Sequence, residues 1–221
     1  MTSSIIFEII AFISILPVIY ILYDTWKNFE DKFDDRRFFF YLVFGFIAGA
    51  ILSVVFLMLD YSASQFIDTS IFLIVLFPIL IEMLVLIIFQ RKYYVKNYQT
   101  IFFSYAFGAG IGSSFSLGLI YHISLGGIEG FSFYLIAIVF AFGTVLVNAS
   151  TSAYVGYGMF TLKRKENLIN AMIVEFLFFF TIIPYVWSFP FIYDIFGIFI
   201  ALPFYYYARK MLFKASMGAK K

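Results

Sequence analysis

Polar residues are so sparse along this chain that the apolar stretches between them are longer than soluble helices require. Nearly uninterrupted apolar runs cover about 4–23, 38–59, 71–90, 101–123, 131–160, 168–187 and 189–208. A hydrocarbon core about 30 Å thick takes about 20 apolar residues per helix, so each run predicts one spanning helix. Backbone groups in oil must bond within their own segment, which selects helix for runs of this kind. The expected fold class is an all-α membrane protein, a seven-transmembrane helix bundle forming a single integral-membrane domain over residues 1–221. The 131–160 run is longer than a bilayer needs, which predicts tilt or a short emergent extension. Only "WSFP" separates the last two runs, so they read as an antiparallel hairpin. The first run lacks a basic start and a small-residue cleavage site, and is expected to stay as a span rather than leave as a signal peptide.

Composition excludes an ordinary soluble domain. The chain is 63% hydrophobic and 24% aromatic, with 33 Phe in 221 residues, whereas charged residues alone make up about 25% of a soluble domain. Little chain remains for a domain outside the membrane, and nucleic acid is not expected as a partner. With no cysteine, disulfides and thiolate metal sites are excluded. The abundance of Ile, Phe and Lys is that of an AT-rich prokaryotic genome.

The positions of the charges say more than their sum of +2. All 15 basic residues fall in four places: Lys27 to Arg37, Arg91 to Lys96, Lys163 to Lys165, and Arg209 to Lys221. The connections at 60–70, 124–130 and 188 carry none. Seven spans put all four basic regions on one side, which the positive-inside rule makes the cytoplasm. The N-terminus is then outside and the C-terminus cytoplasmic, and the expected location is the cell membrane. Basic clusters beside helix ends also suit anionic lipid headgroups, although orientation alone accounts for them.

Small residues recur every four positions in two spans. Ser104, Gly108, Gly112 and Ser116 do so in the fourth span, and Gly45, Gly49 and Ser53 in the second. In lipid such stripes let backbones approach closely, so both read as packing seams. In the fifth span Thr144, Asn148, Thr151, Ser152 and Gly156 share one helical face, a polar stripe expected to turn inward toward spans three and four. Asn148-Ala-Ser150 matches a glycosylation sequon, but an acceptor must sit in an exposed loop, and this one is at membrane depth.

Glu82 in span three and Glu175 in span six are ionisable groups inside the membrane, which are costly and mark functional candidates. Helical rise from the cytoplasmic ends puts them about 12 and about 10 Å deep. Pro78, one turn before Glu82, frees a backbone carbonyl that protein or a wet cavity must satisfy, so span three is expected to face the interior there. Two roles are open to the pair. As neutral acids they would bond to Asn148 and the Ser113–Ser114 region and hold helices together at about 1 kcal/mol per bond. As a proton or metal site they would sit at the cytoplasmic end of a cavity, although two carboxylates without histidine make a weak zinc site. His122, the one histidine, is about 30 Å from the cytoplasmic start of its span. Glu8, Asp60, Asp68 and Asp194 read as interfacial.

Three segments, in the same order, resemble motifs of the PrsW-type intramembrane proteases. "PILIEMLV" is similar to Pro-x-x-Glu-Glu-x-x-Lys, with Pro78 and Glu82 in place and Ile81 and Val85 substituting. "GIGSSFSLGLIY" is similar to Gly-x-Gly-Phe-x-x-x-Glu-Asn-x-x-Tyr, with Gly110, Gly112 and Tyr121 in register and Leu117 at the Glu position. "NASTSAYVGYG" is similar to His-Ala-x-x-Thr-Ala-x-x-Gly, matching at Ala149, Ala153 and Gly156, with Ser152 for Thr and Asn148 for His. Seven spans with the N-terminus outside also resemble the anterior pharynx-defective subunit of gamma-secretase, a scaffold of the same broad fold. There Glu175 would stand near one of that subunit's intramembrane histidines.

The resemblance implies a protease-like fold whose metal or acid–base groups are reduced to Glu82, since Asn148 neither transfers a proton nor readily binds zinc. The leading expectation is a catalytically degenerate scaffold, a pseudoenzyme that binds membrane lipid and other transmembrane helices without a cofactor. The second is a surviving peptidase in which Glu82 activates water, Glu175 assists, and Asn148 or a nearby serine stabilises the oxyanion, with Ser113, Ser114, Thr151 and Ser152 expected in the same polar pocket; only there would zinc enter. The third is a small proton- or cation-coupled transporter using both acids, although the repeated halves usual in that class are missing.

Overall fold

The computed structural model describes residues 3–29, 31–63, 67–125, 131–186 and 192–218, which form seven α-helices and no strand. They are α1 (Ser3–Phe29), α2 (Asp35–Ala63), α3 (Ile67–Phe89), α4 (Gln99–Leu125), α5 (Phe131–Thr161), α6 (Arg164–Val186) and α7 (Ile192–Gly218). The side chains of Asp60, Asp68 and Asp194 and the turn at 187–190 lie outside the described residues. Among the described residues, four stretches are each long and apolar enough to cross a membrane: Ile5–Phe29, Asp35–Leu59, Gln99–Leu125 and Phe133–Thr161. Val75–Phe89 in α3 is a shorter apolar stretch.

Several helices run past their apolar cores. α1 continues to Phe29 instead of stopping near 23, and α7 to Gly218 instead of 208. Hydropathy marks the length that needs oil, whereas the helix ends where side-chain packing ends. Phe29, Met211, Leu212 and Ala215 are buried, so those last turns still pack on the bundle.

α4 and α5 form the centre. Their spanning stretches are 83% and 67% buried, against 33% and 28% for α1 and α2. A helix covered on all sides must offer small residues wherever a backbone crosses it. Gly108 faces the Asn148 carbonyl, and a methyl group on Gly112 would come 2.7 Å from Val145 Cα, so α5 lies directly on α4. On another face of α4, Gly45 and Gly49 of α2 meet the Phe107 and Ile111 backbone, and Gly110 meets that of α2. Ser113 and Ser114 fasten the same helix to its neighbours, donating to the Ser14 carbonyl of α1 at 2.7 Å and the Phe46 carbonyl of α2 at 2.8 Å.

Contacts gather the basic regions at one end of the bundle. Arg209 of α7 pairs with Asp24 of α1 at 2.8 Å. Arg37 of α2 bonds to Tyr93, and Tyr41 to Tyr94, in the α3–α4 connection. The Lys96 amide of that connection donates to the Met159 carbonyl of α5 at 3.2 Å, next to the Lys163–Lys165 turn.

Candidate functional site: a buried carboxyl pair

α3 and α6 each bury one stripe. On α3 it runs through Leu73, Phe77, Ile81, Glu82, Val85 and Phe89, and on α6 through Asn167, Ala171, Glu175, Phe178 and Phe179. This is the spacing of one face of a 3.6-residue helix, and each stripe contains one acid. The two helices pack together, so the acids meet. Glu82 and Glu175 are both 0% exposed, and the Glu82 carboxyl adjoins Glu175 and Thr151 of α5.

Thr151 is the polar link. Its Oγ1 is 2.9 Å from Glu175 Oε1, 3.1 Å from the Val147 carbonyl and 3.3 Å from the Asn148 carbonyl. Beyond this contact the carboxyls are poorly provided for. Both oxygens of Glu82 and Oε2 of Glu175 have no hydrogen-bond partner among the described residues, and neither acid has an ion pair there. Buried polar atoms in native proteins are nearly always satisfied by protein, water or an ion.

Phenyl rings cluster about one turn from the pair, toward the start of α3 and the end of α6. Phe77, five residues before Glu82, and Phe179, four after Glu175, lie 6.3 Å apart. Phe115 of α4 is 6.0 and 5.7 Å from them, and Phe56 of α2 is 4.9 Å from Phe77. Outward from the bundle, an apolar groove of about 250 Å³ runs between α3 and α6, lined by Val75, Pro78, Ile79, Ile169, Met172, Ile173 and Phe176. Pro78 and Glu82 are four residues apart and Met172 and Glu175 three, so the groove lies within a turn of both carboxyls.

The remaining residues marked by sequence are arranged differently from the expected single pocket. The stripe on α5 bonds mainly to its own helix: Thr144 to the Phe140 carbonyl, Asn148 to Thr144 and Ser150 to Leu146, at 2.8, 2.9 and 2.6 Å. Asn148 and Ser152 border Gly108 of α4, and Asn148 Oδ1 and Ser152 Oγ have no partner among the described residues. Thr151, one position round from Ser150, reaches the acids. Ser113 and Ser114 commit their hydroxyls to the α1 and α2 backbones, so the expected bonds from the acids to Asn148, Ser113 and Ser114 are replaced by the contact with Thr151. Ser116 donates to the Ser113 carbonyl at 2.8 Å, and Gly156 packs on Ser104. His122 is exposed.

Metal-ligating side chains are few. No three of His, Cys, Asp and Glu gather among the described residues, and two carboxyls with one hydroxyl fall short of the three-ligand zinc sites of hydrolases. A second polar cluster, missed by the sequence reading, sits at the basic end. Asp24, on the α1 extension, accepts from Arg209 at 2.8 Å, from the Tyr205 hydroxyl at 3.0 Å and from Asn28 at 2.9 Å. The signal available was Tyr205 and Arg209 one turn apart on α7, with Asp24 and Asn28 one turn apart on α1.

No protein-family model, curated protein or solved structure matches this chain.

Proposed function

We propose that the chain is a multi-pass protein of the cell membrane with seven spans, its N-terminus outside, and a PrsW-like intramembrane protease fold that has lost most catalytic groups and binds other transmembrane helices. The observation that carries this reading is the pair of acids, 0% exposed, beside an apolar groove between α3 and α6. Hydrolysis within the membrane needs water at the carboxyls, whereas a groove lined only by apolar side chains suits the apolar face of a helix. Four basic regions at one end of the bundle support the orientation. Helices of 23 to 31 residues support the count, because even the shortest spans about 35 Å at 1.5 Å per residue.

A photo-crosslinking side chain at Ile79 or Ile173, compared with one at Phe12 on the exposed side of α1, tests the reading in native membranes. Adducts to a discrete membrane polypeptide at the groove alone are expected, and adducts to lipid alone at all three sites would reject helix binding. The peptidase reading is favoured by one feature, two adjacent carboxyls, one of them bonded to a threonine hydroxyl. It predicts that cleavage of a transmembrane peptide by the purified protein disappears in Glu82→Gln.

A further inference from the structure

Three acceptors surround one hydroxyl hydrogen at Thr151: the Val147 carbonyl, the Asn148 carbonyl and Glu175 Oε1. A threonine hydroxyl donates once and accepts through its lone pairs. The shortest of the three, at 2.9 Å, has the hydroxyl donating to Glu175 Oε1, and Glu175 Oε2 is left without a partner among the described residues. Glu82 adjoins the same carboxyl with two unpartnered oxygens. Two bare carboxylates side by side in oil, without a cation, would repel each other and lack hydration.

We propose that Glu82 and Glu175, with Thr151, form a membrane-embedded proton-binding site, set one helical turn behind the apolar groove between α3 and α6, through which a lipid-soluble reagent can approach. The ligand is the proton, exchanged at carboxyl oxygens. Four phenyl rings cluster one turn from the acids on one side, and the groove approaches within one turn through Pro78 and Met172. This inference stands on the acid pair and does not depend on helix binding.

A lipid-soluble carbodiimide tests it on the purified full chain. Such a reagent takes the proton of a carboxylic acid onto nitrogen while the carboxyl oxygen bonds to its central carbon, and the adduct rearranges to a stable N-acylurea. Peptide mass spectrometry at neutral pH is expected to find the adduct on Glu82 or Glu175 and not on Glu166, which is 62% exposed. Ile79→Trp, which fills the groove, should slow labelling severalfold, and an unchanged rate would overturn the groove as the reagent's approach. Suppression of the adduct by sodium ions at constant pH would overturn the proton as ligand in favour of an alkali cation. Infrared spectra provide a measurement independent of reagent access. A protonated-carboxyl band present in the native protein should be lost in the Glu82→Gln/Glu175→Gln double variant, and identical spectra would overturn the site.

Discussion

Thr151 bears on both cohesion and chemistry, because among the described residues it is the one hydroxyl of the α5 stripe that bonds to another helix. Thr151→Val keeps the shape and removes the hydroxyl, leaving Glu175 Oε1 without that partner. A loss of about 1–3 kcal/mol is expected, read as a lower unfolding temperature in detergent, with Thr151→Ser restoring most of it. Val at Thr151 matching the native protein would show that the contact carries no energy. Leu162 has a different local problem. It follows α5 with φ of 64°, a conformation that costs an L-residue about 1–2 kcal/mol and that helix ends usually assign to glycine. Leu162→Gly relieves that strain but loosens the unfolded chain, for a net gain of about 0.5 kcal/mol. Leu162→Val should destabilise, since a branched side chain fits this conformation worst, and the order Gly, Leu, Val in thermal unfolding is the check.

Glycine spacing made the helix seams legible before any coordinates, because in lipid a small residue every four positions has few uses besides close approach. The two seams differ in what surrounds each glycine from what holds elsewhere in the bundle. A methyl on Gly112 would meet Val145 Cα at 2.7 Å and the Thr144 carbonyl at 2.8 Å, both backbone atoms. On Gly143 it would meet side chains alone, the Phe178 ring at 3.2 Å, which can turn aside, and Ile198 Cγ1 at 3.8 Å, an ordinary contact. Gly112→Ala should therefore cost about 1–3 kcal/mol by forcing α4 and α5 apart, while Gly143→Ala stays near the native unfolding temperature. Equal effects would mean that the seam is softer than its geometry. Helix ends were less legible. Hydropathy falls at the membrane edge, whereas α7 continues for a further stretch in which Met211, Leu212 and Ala215 pack against the bundle. The partnership of Asp24 with Arg209 was hidden for the same reason, since both residues lie in those extensions and meet only after the fold is formed.

At the scale of the whole molecule, the acids were identifiable because charge in oil is rare, and their partners were not. Helical phase gives the face of each residue but not which helix that face meets, so Ser113 and Ser114 looked equivalent to Thr151 until α1 and α2 occupied their side of α4. Orientation has a stronger sequence signal and a direct test. The native chain has no cysteine, so an introduced thiol can be labelled without background by a membrane-impermeant maleimide. Lys92→Cys and Lys163→Cys fall in the basic connections after α3 and α5, and Gly127→Cys falls in the connection after α4, which carries Glu129 but no basic residue. In intact cells Gly127→Cys should label, and the other two only after the membrane is opened. The opposite pattern would invert the bundle. Labelling of Lys92→Cys and Lys163→Cys from different sides would break the seven-span count, because the two connections are separated by two helices and must share a side if both helices cross. Since the acids lie between the basic end and the Phe56, Phe77, Phe115 and Phe179 rings, the first pattern would also put the proton site in the cytoplasmic half of the membrane.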